Sequence, residues 1–447
     1  MYKTTTVLLN PNQDNELIEY FSENCKKAKL LKNAVIFRCR QLLFARWKDF
    51  KDLNVNQMEV LNEFKQTENR FKPIGNKYYF PSYYHFDYMF KITNNPDYYS
   101  GLPSQTTQHV IKEALEDFKG YFSSLKKYKK DSTGYTGKPK IPKYIKTNEI
   151  SFDITNQQAL IKDFDSNKKY IQLPKTKLTL DLGSYNEFGE LKEVTVKPFY
   201  DTYKICIVTE VEDPTPVKLD KNKIIGIDLG ISNFLAVSNN CGLTPFVING
   251  KIMKCFNQYY NKTLANLKSQ LPDEQYTSKR LKRLFKYRQN YFNDKMHKIS
   301  DYIIKYCLLN NIGTIVIGKN QQWKTSVNIG KINNQNFCSI PHNNFIKKLK
   351  EKAEIYGIKV IEREESYTSQ ASFLDNDDIP TYNKNNKTKY KFSGSREKRG
   401  LYISKNGIQI NADINGASNI IRKAFPHAFD HITDFSYLYI TTNRITV

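Results

Sequence analysis

The sequence contains little cysteine, and its cysteines are spread along the chain. Its 447 residues include seven cysteines, and no two of them form a Cys-x-x-Cys pair. An odd, scattered set argues against a disulfide framework and offers no recognisable zinc ribbon. We therefore expect reduced thiols, most of them buried. The cysteines are Cys25, Cys39, Cys206, Cys241, Cys255, Cys307 and Cys338.

Long apolar runs are also missing. No stretch approaches the roughly 18 to 20 consecutive apolar residues that a membrane helix needs. The first residues, MYKTTTVLLNPNQDNE, lack the basic region and cleavage site of a secretory signal. We therefore expect no membrane partner and a location in the bacterial cytoplasm, associated with the nucleoid. The six histidines show no metal-binding spacing, and no phosphate-binding or dinucleotide-binding glycine pattern occurs in context.

Acidic residues are too few to balance the basic ones. The chain has 45 Asp and Glu against 69 Lys and Arg, a formal net charge of +24. The excess is spread over the whole chain, which favours a polyanion such as nucleic acid as partner. The 39% apolar content is typical of a folded protein, and the length suggests about three compact units.

The hydrophobic pattern changes along the chain. After a short N-terminal strand, apolar residues recur at steps of three and four from Leu17 to Leu42, which predicts a helix with one core face. Its basic flank either contacts RNA or is solvated surface. A second long helix begins near Ser104, and short alternating runs over about 149–212 predict antiparallel strands or a small barrel. From Lys221 onward, hairpin strands and then alternating strands and helices predict a mixed α/β sheet.

Two carboxylates stand out in this last region. Asp228 ends an apolar strand and is flanked by glycines, which would place it at the edge of a sheet; a plain turn residue is the alternative. Asp413 lies in the first turn of a predicted helix rich in small residues, and there a plain helix cap is the alternative.

Several segments together resemble the TnpB family, transposon-encoded relatives of type V CRISPR effectors and of the eukaryotic Fanzor proteins. The segments GIDLGISN, SKRLKRLFKYRQNYFNDKMHKISDYII, TIVIGKNQQWK, SYTSQAS and NADINGASNI occur in the order of the family's nuclease motifs. The N-terminal half is similar too, in the LPSQ helix and the GKPKIP linker. The resemblance implies an RNA-guided DNA endonuclease that binds a guide RNA from the transposon end and double-stranded target DNA, as one copy per guide RNA.

The resemblance also implies an α/β multidomain architecture. Its segments would be a wedge strand (1–12), a helical recognition lobe (13–124), a β-barrel wedge domain (125–220) and a RuvC-like nuclease of the RNase H fold (221–447), with a basic insert at about 370–411.

Nucleases of this kind cut with clustered carboxylates that hold two Mg²⁺ ions about 3.5–4 Å apart. Asp228 matches the family's first carboxylate and Asp413 its third. The second departs from the pattern, because the strand that usually ends in Glu here ends in Gly318. By similarity to rearranged relatives we expect Glu365 to replace it, with Glu364 in reserve, since adjacent strand residues face opposite sides. The alternatives are a nuclease-dead, RNA-guided DNA-binding repressor in which both glutamates form ion pairs, and a transposase that joins strands itself.

Zinc is not expected, although relatives usually insert a four-cysteine ribbon before the last Asp. No cysteine follows Cys338, and the first paired positions read Ser372 and Asp375. A structural zinc site needs about four N or S ligands. The basic insert in its place either loads nucleic acid or is a solvated loop.

Other basic residues, and one tryptophan, are candidates for backbone contacts and base stacking. A solvated helix face and a buried tryptophan are the alternatives. The candidates are Lys126, Lys127, Lys129, Lys130, Lys138, Lys140, Arg280, Arg283, Lys286, Arg288, Trp323, Lys324, Arg396, Lys398 and Arg399.

Overall fold

The chain folds as two compact units, Met1–Glu212 and Asp213–Val447. The four-segment domain division stays a prediction. The computed structural model describes residues 1–46, 48–74, 80–165, 168–183, 188–213, 217–320, 340–382, 388–398, 400–439 and 442–446.

The first unit combines long helices with antiparallel strands. Its helices are α1 (Asn15–Ala45), α2 (Val55–Lys65), α3 (Tyr83–Ile92) and α4 (Ser104–Lys130). Its strands are β1 (Tyr2–Leu8), β2 (Phe152–Thr155), β3 (Leu160–Asp165), β4 (Lys168–Gln172), β5 (Thr179–Asp181), β6 (Glu190–Phe199) and β7 (Thr202–Glu210). They form sheets of order β1-β7-β6-β2 and β3-β4-β5. Closure of these sheets into a barrel stays a prediction.

Helix α1 is the core helix of this unit. The apolar stripe predicted from its sequence is buried throughout, which confirms it as a core face. The stripe comprises Leu17, Phe21, Cys25, Ala28, Leu31, Val35, Cys39 and Leu42. Because each of the larger apolar side chains contributes about 1.5–3 kcal/mol when it is fully buried, tertiary packing is what stabilises this helix.

The second unit is built on a six-stranded sheet. Its strands are β8 (Asp220–Leu229), β9 (Asn233–Asn239), β10 (Phe246–Asn249), β11 (Ile312–Gly318), β12 (Lys359–Arg363) and β16 (Asn443–Ile445), in the order β12-β11-β8-β9-β10-β16. β8, β9 and β10 are antiparallel, whereas β11 runs parallel to β8 and β12 parallel to β11. The mixed α/β architecture predicted from the sequence is confirmed.

Helices pack on the faces of this sheet. They are α5 (Lys251–Ser269), α6 (Lys279–Leu309), α7 (His342–Ile355) and α8 (Ala412–Ala424). A small antiparallel sheet of β13 (Ser395–Lys398), β14 (Leu401–Ile403) and β15 (Gln409–Asn411) lies within the predicted basic insert.

Side chains of β8 point alternately to the two faces of the sheet and therefore contact different helices. Ile225 and Ile227 belong to the apolar cluster formed with α6 and α7, whereas Ile224 belongs to the cluster formed with α8. Because successive strand residues point to opposite faces, Gly226 and Asp228 share the α8 face with Ile224. The first candidate carboxylate therefore points toward the helix that carries the third.

Candidate active site

Glycine permits the close approach of α8 to Asp228. A Cβ atom added at Gly226 would overlap the carbonyl oxygen of Ala417, and one added at Gly416 would lie 2.7 Å from Asp228 Oδ2. At Gly226 the overlap is with backbone, so the helix could not pack here with a larger residue, whereas a side chain at position 416 would displace the Asp228 carboxylate. The small residues of the NADINGASNI segment thus bring the helix against the end of β8.

Asp413 lies in the first turn of α8, and a neighbour performs the capping. Asn411 Oδ1 accepts hydrogen bonds from the backbone N–H groups of Asp413 (2.9 Å) and Ile414 (3.4 Å), as an N-cap residue does. The Asp413 carboxylate is therefore available for other partners. Asn233 Nδ2 donates to its Oδ2 at 2.7 Å, and Arg396 Nη2 lies 3.5 Å from its Oδ1.

Glu365 occupies the space that Gly318 leaves open. A Cβ atom added at Gly318 would lie 2.8 Å from Glu365 Oε2. Asn320 fixes the glutamate at both ends: its Nδ2 is 3.3 Å from Glu365 Oε1, and its Oδ1 accepts the Glu365 backbone N–H at 3.0 Å. A carboxylate from the segment after β12 thus lies beside Gly318 at the end of β11, and Ile420 Cδ1, at 2.5 Å, would be still closer to the added Cβ atom.

Glu364 has a different environment from its neighbour. Lys423 forms an ion pair with Glu364 Oε2, and the backbone N–H of Ser366 donates to Oε1 at 2.9 Å. Burial alone would raise the pKa of Glu364, but the hydrogen bonds from Lys423 and Ser366 outweigh it and hold that pKa below its ordinary value. Glu364 thus forms an ion pair of the kind that the alternative describes, whereas the side chain of Glu365 accepts a hydrogen bond from Asn320.

Burial and neighbouring negative charge raise the pKa of two candidate carboxylates, Asp228 and Glu365. Burial, followed by the charges of Glu365 and Asp413, holds the pKa of Asp228 well above its ordinary value, with Arg396 opposing. Burial and then the charge of Glu364 raise the pKa of Glu365 to about 7, against the opposing effect of Lys423. Like charges brought together at low dielectric disfavour ionisation in this way, and a bound cation would reverse the effect.

The carboxylates converge without closing a cage. Within the described residues, no three or more His, Cys, Asp or Glu side chains are gathered tightly enough to hold a metal ion. Asn233 and Arg396 each contact one oxygen of Asp413.

The insert carries a second group of acids, which we call the insert anchor (Asp375 and Asp377). Asp375 Oδ2 accepts hydrogen bonds from Ser372 Oγ at 2.5 Å and from the Lys405 backbone N–H at 2.8 Å. Asp377 accepts from the backbone N–H groups of Ser372 (2.8 Å) and Ser393 (3.0 Å) and from Ser393 Oγ (2.6 Å). These bonds join the start of the insert to Ser393 and Lys405, which lie farther along it.

The predicted nucleic-acid contacts fall into three groups. Exposed positions are Lys126, Lys127, Lys129, Lys130, Lys138, Lys140, Arg280, Arg283 and Lys398, with Lys286 partly buried. Arg288 packs within the α5–α6 hairpin, its guanidinium 4.9 Å from the Tyr260 ring centre and 5.0 Å from that of Phe292, and Arg396 is beside Asp413. Trp323, Lys324 and Arg399 lie outside the described residues.

Sequence reasoning missed the amides around the site. Asn233 and Asn320 each lie within a quoted motif, GIDLGISN and TIVIGKNQQWK, and that position is the signal that could have singled them out. Their carboxylate partners are distant in sequence, at 180 and 45 residues.

Two segments of the chain match known family models. Residues 206–324 match the OrfB_IS605 family, described as a probable transposase, and residues 342–420 match the Cas12f1-like TNB domain. The TnpB-like protein ORF457 of Acidianus two-tailed virus is 23% identical over 330 residues, covering 69% of this chain and 67% of that protein. These matches support the TnpB family. The TnpB resemblance predicted from the motifs is thereby confirmed.

The fold is similar to that of a solved structure. The cryo-EM structure of the Cas12f1–sgRNA–target DNA complex matches with a TM-score of 0.53 at 14% identity, covering 91% of this chain and 82% of that one. At such low identity the likeness concerns the fold alone. None of the described helices is long and apolar enough to cross a membrane.

Proposed function

We propose that this protein is an RNA-guided DNA endonuclease of a transposon, which cuts its target beside a short adjacent motif by two-metal-ion hydrolysis. The observation that carries the proposal is the position of Glu365. Its carboxylate lies in the space left open by Gly318, and its charge acts on Asp228 together with that of Asp413. In this proposal Asp228 at the end of β8, Glu365 after β12 and Asp413 in the first turn of α8 form one site at the carboxyl ends of the strands.

Magnesium fits this donor set. All candidate ligands are carboxylate oxygens, which Mg²⁺ prefers, and Mg²⁺ keeps waters and substrate phosphates among its ligands, so a partly open site suits it. Asp228, Glu365 and Asp413 would hold two ions, which when bound supply an activated water and stabilise the leaving oxygen.

The surrounding residues orient these carboxylates. Asn320 holds Glu365, and Asn233 holds Asp413. Arg396, partly exposed beside Asp413, is placed to bind a phosphate of the DNA through its guanidinium. No zinc enters the proposal, since the insert anchor supplies hydrogen bonds in its place.

The proposed partners are a guide RNA and double-stranded target DNA. The Cas12f1 structure contains an sgRNA and target DNA, and the net charge of +24 suits two polyanions. Base pairing with the guide would select the sequence, while the protein binds backbone and the adjacent motif. In this proposal the first unit supplies the recognition lobe and wedge, and one copy per guide RNA acts in the bacterial cytoplasm.

The test is to purify the protein with its RNA from a host that expresses the native flanking locus. The RNA is sequenced, and plasmid cleavage with Mg²⁺ is measured for wild type, Glu364→Ala and Glu365→Ala. We expect cleavage to be lost only in Glu365→Ala, because Lys423 already neutralises Glu364.

Other outcomes would contradict parts of the proposal. Tight guided binding without cleavage by the wild type would indicate the nuclease-dead repressor. Loss of cleavage in Glu364→Ala but not in Glu365→Ala would show that the two glutamates have been assigned in reverse.

A further inference from the structure

The loop that follows Glu365 has a constrained backbone. We call residues 366–373 the Thr-Ser loop. Its Thr368 closes a turn on Glu365, with the backbone N–H and Oγ1 of Thr368 3.2 Å and 2.7 Å from the Glu365 carbonyl oxygen. Tyr367 has φ +64°, a left-handed conformation that non-glycine residues adopt rarely. A loop of this kind persists when its surroundings hold it.

Two asparagines of α8 hold the loop. Asn419 Nδ2 donates to the carbonyl oxygens of Thr368 (2.9 Å) and Ala371 (2.7 Å). Asn415 Nδ2 donates to Ala371 at 2.8 Å, and its Oδ1 accepts the Phe373 backbone N–H at 3.0 Å. Both side chains are completely buried. They are one helical turn apart and therefore share a face of α8.

Among the described residues, the Nδ2 group of the Asn419 side chain forms hydrogen bonds and its Oδ1 atom does not. Its Oδ1 is buried, and among the described residues nothing bonds to it. The amide orientation is determined by the two carbonyl oxygens, since turning Oδ1 toward them would leave both without a donor. The contact of Asn419 with the loop is therefore made by its Nδ2 group.

We infer that Asn419 and Asn415 are positioning residues that set the place of Glu365 relative to Asp413. Asp413 is two residues before Asn415 on the same helix, so α8 carries the third carboxylate and also holds the loop that fixes the second. The inference rests on the proposed function and deepens it. We call the hydrogen bonds of Asn415 and Asn419 to the Thr-Ser loop the clamp. Through the clamp, Glu365 and Asp413 keep their separation even when the insert or a bound strand moves.

The test compares Asn419→Ala with Asn419→Ser, which retains one donor, and with Ser418→Ala as control. Ser418 is equally buried on the same helix, but its Oγ lies 2.7 Å from Ser238 Oγ on the sheet and does not touch the loop. For the full protein with its guide RNA we would measure guided DNA binding, the half-saturating Mg²⁺ concentration for cleavage, and hydrogen exchange across residues 366–373.

Asn419→Ala should raise the half-saturating Mg²⁺ concentration by about tenfold or more, the usual effect of losing a residue that orients a metal ligand. Amide exchange in the Thr-Ser loop should become faster, with guided binding unchanged and Asn419→Ser intermediate. Ser418→Ala should lower the melting temperature and leave the Mg²⁺ requirement as in wild type.

The inference is overturned if Asn419→Ala shifts the Mg²⁺ requirement no more than Ser418→Ala does, or leaves loop exchange unchanged. If the wild type does not cleave at all, the proposed endonuclease fails. The exchange measurement still decides whether the clamp exists, so the two failures are distinguishable.

Discussion

Asp375 and Asp377 in the insert accept hydrogen bonds from hydroxyl and backbone donors, whereas Asp228 and Glu365, in the same unit, face other carboxylates. Burial alone would raise the pKa of Asp377, but hydrogen bonds from Ser393 and Ser372 hold it below its ordinary value. For Asp228 and Glu365, burial and neighbouring negative charge together raise the pKa. Ionisation of Asp377 therefore stabilises the fold, whereas ionisation of Asp228 or Glu365 destabilises it.

The difference separates structural acids from functional ones. A carboxylate surrounded by donors gains nothing from a cation, while carboxylates that repel one another are stabilised by one. Groups with strongly perturbed pKa values cluster at functional sites for this reason. By this criterion Glu364 belongs with the insert anchor, and Glu365, its direct neighbour, belongs with Asp228.

The largest effect is expected from Asp228→Ala. Cleavage should fall to background while guide-dependent DNA binding stays nearly intact, since the change removes a metal ligand and no phosphate contact. Plasmid cleavage and gel-shift assays on the same preparation measure both. Loss of RNA or DNA binding in this variant would contradict the role assigned to Asp228.

Exchange of positions between the glutamate and the glycine is the sharpest test of the site. Gly318→Glu alone should abolish cleavage, because Glu365 Oε2 lies 2.8 Å from where the new Cβ would be. Adding Glu365→Ala should restore part of the activity by freeing that space, although Ile420 must also shift. A double variant as inactive as either single variant would argue against spatial replacement.

A smaller effect is expected at the insert anchor. Asp377→Asn should lower the free energy of unfolding by about 1–2 kcal/mol, the usual cost of disrupting hydrogen bonds to a charged, partly exposed group. Because the folded pKa of Asp377 is depressed, its contribution is present above about pH 4 and is lost as the pH falls through the folded pKa. Denaturant unfolding against pH measures this, and a zinc chelator should leave the wild-type curve unchanged.

In the absence of Mg²⁺, Glu365→Gln is expected to become more stable relative to wild type as the pH rises, the opposite of the loss expected for Asp377→Asn. The folded pKa of Glu365 is raised to about 7, so wild type should lose stability as the pH rises from about 4 through 7. The variant, which cannot ionise there, should escape this loss. The difference in melting temperature between Glu365→Gln and wild type should therefore increase over that pH range. A constant difference would indicate that ionisation of Glu365 does not destabilise the fold.

Much of the architecture could be predicted, because local patterns determine it. The 3.6-residue period predicted the buried face of α1, and an apolar strand ending in a carboxylate made Asp228 a candidate site residue. The resemblance favoured Glu365 over Glu364, but that Lys423 forms its ion pair with Glu364 is a tertiary fact that no local pattern predicts. The asparagines around the site were not predicted, since amide-to-carboxylate and amide-to-carbonyl bonds between distant segments have no periodic signature.

The glycine at the end of β11 also constrains the history of the site. A side chain added at position 318 would have to displace both the Glu365 carboxylate and Ile420 from their present positions. An ancestor with glutamate at position 318 would therefore pass through a crowded or a carboxylate-deficient intermediate.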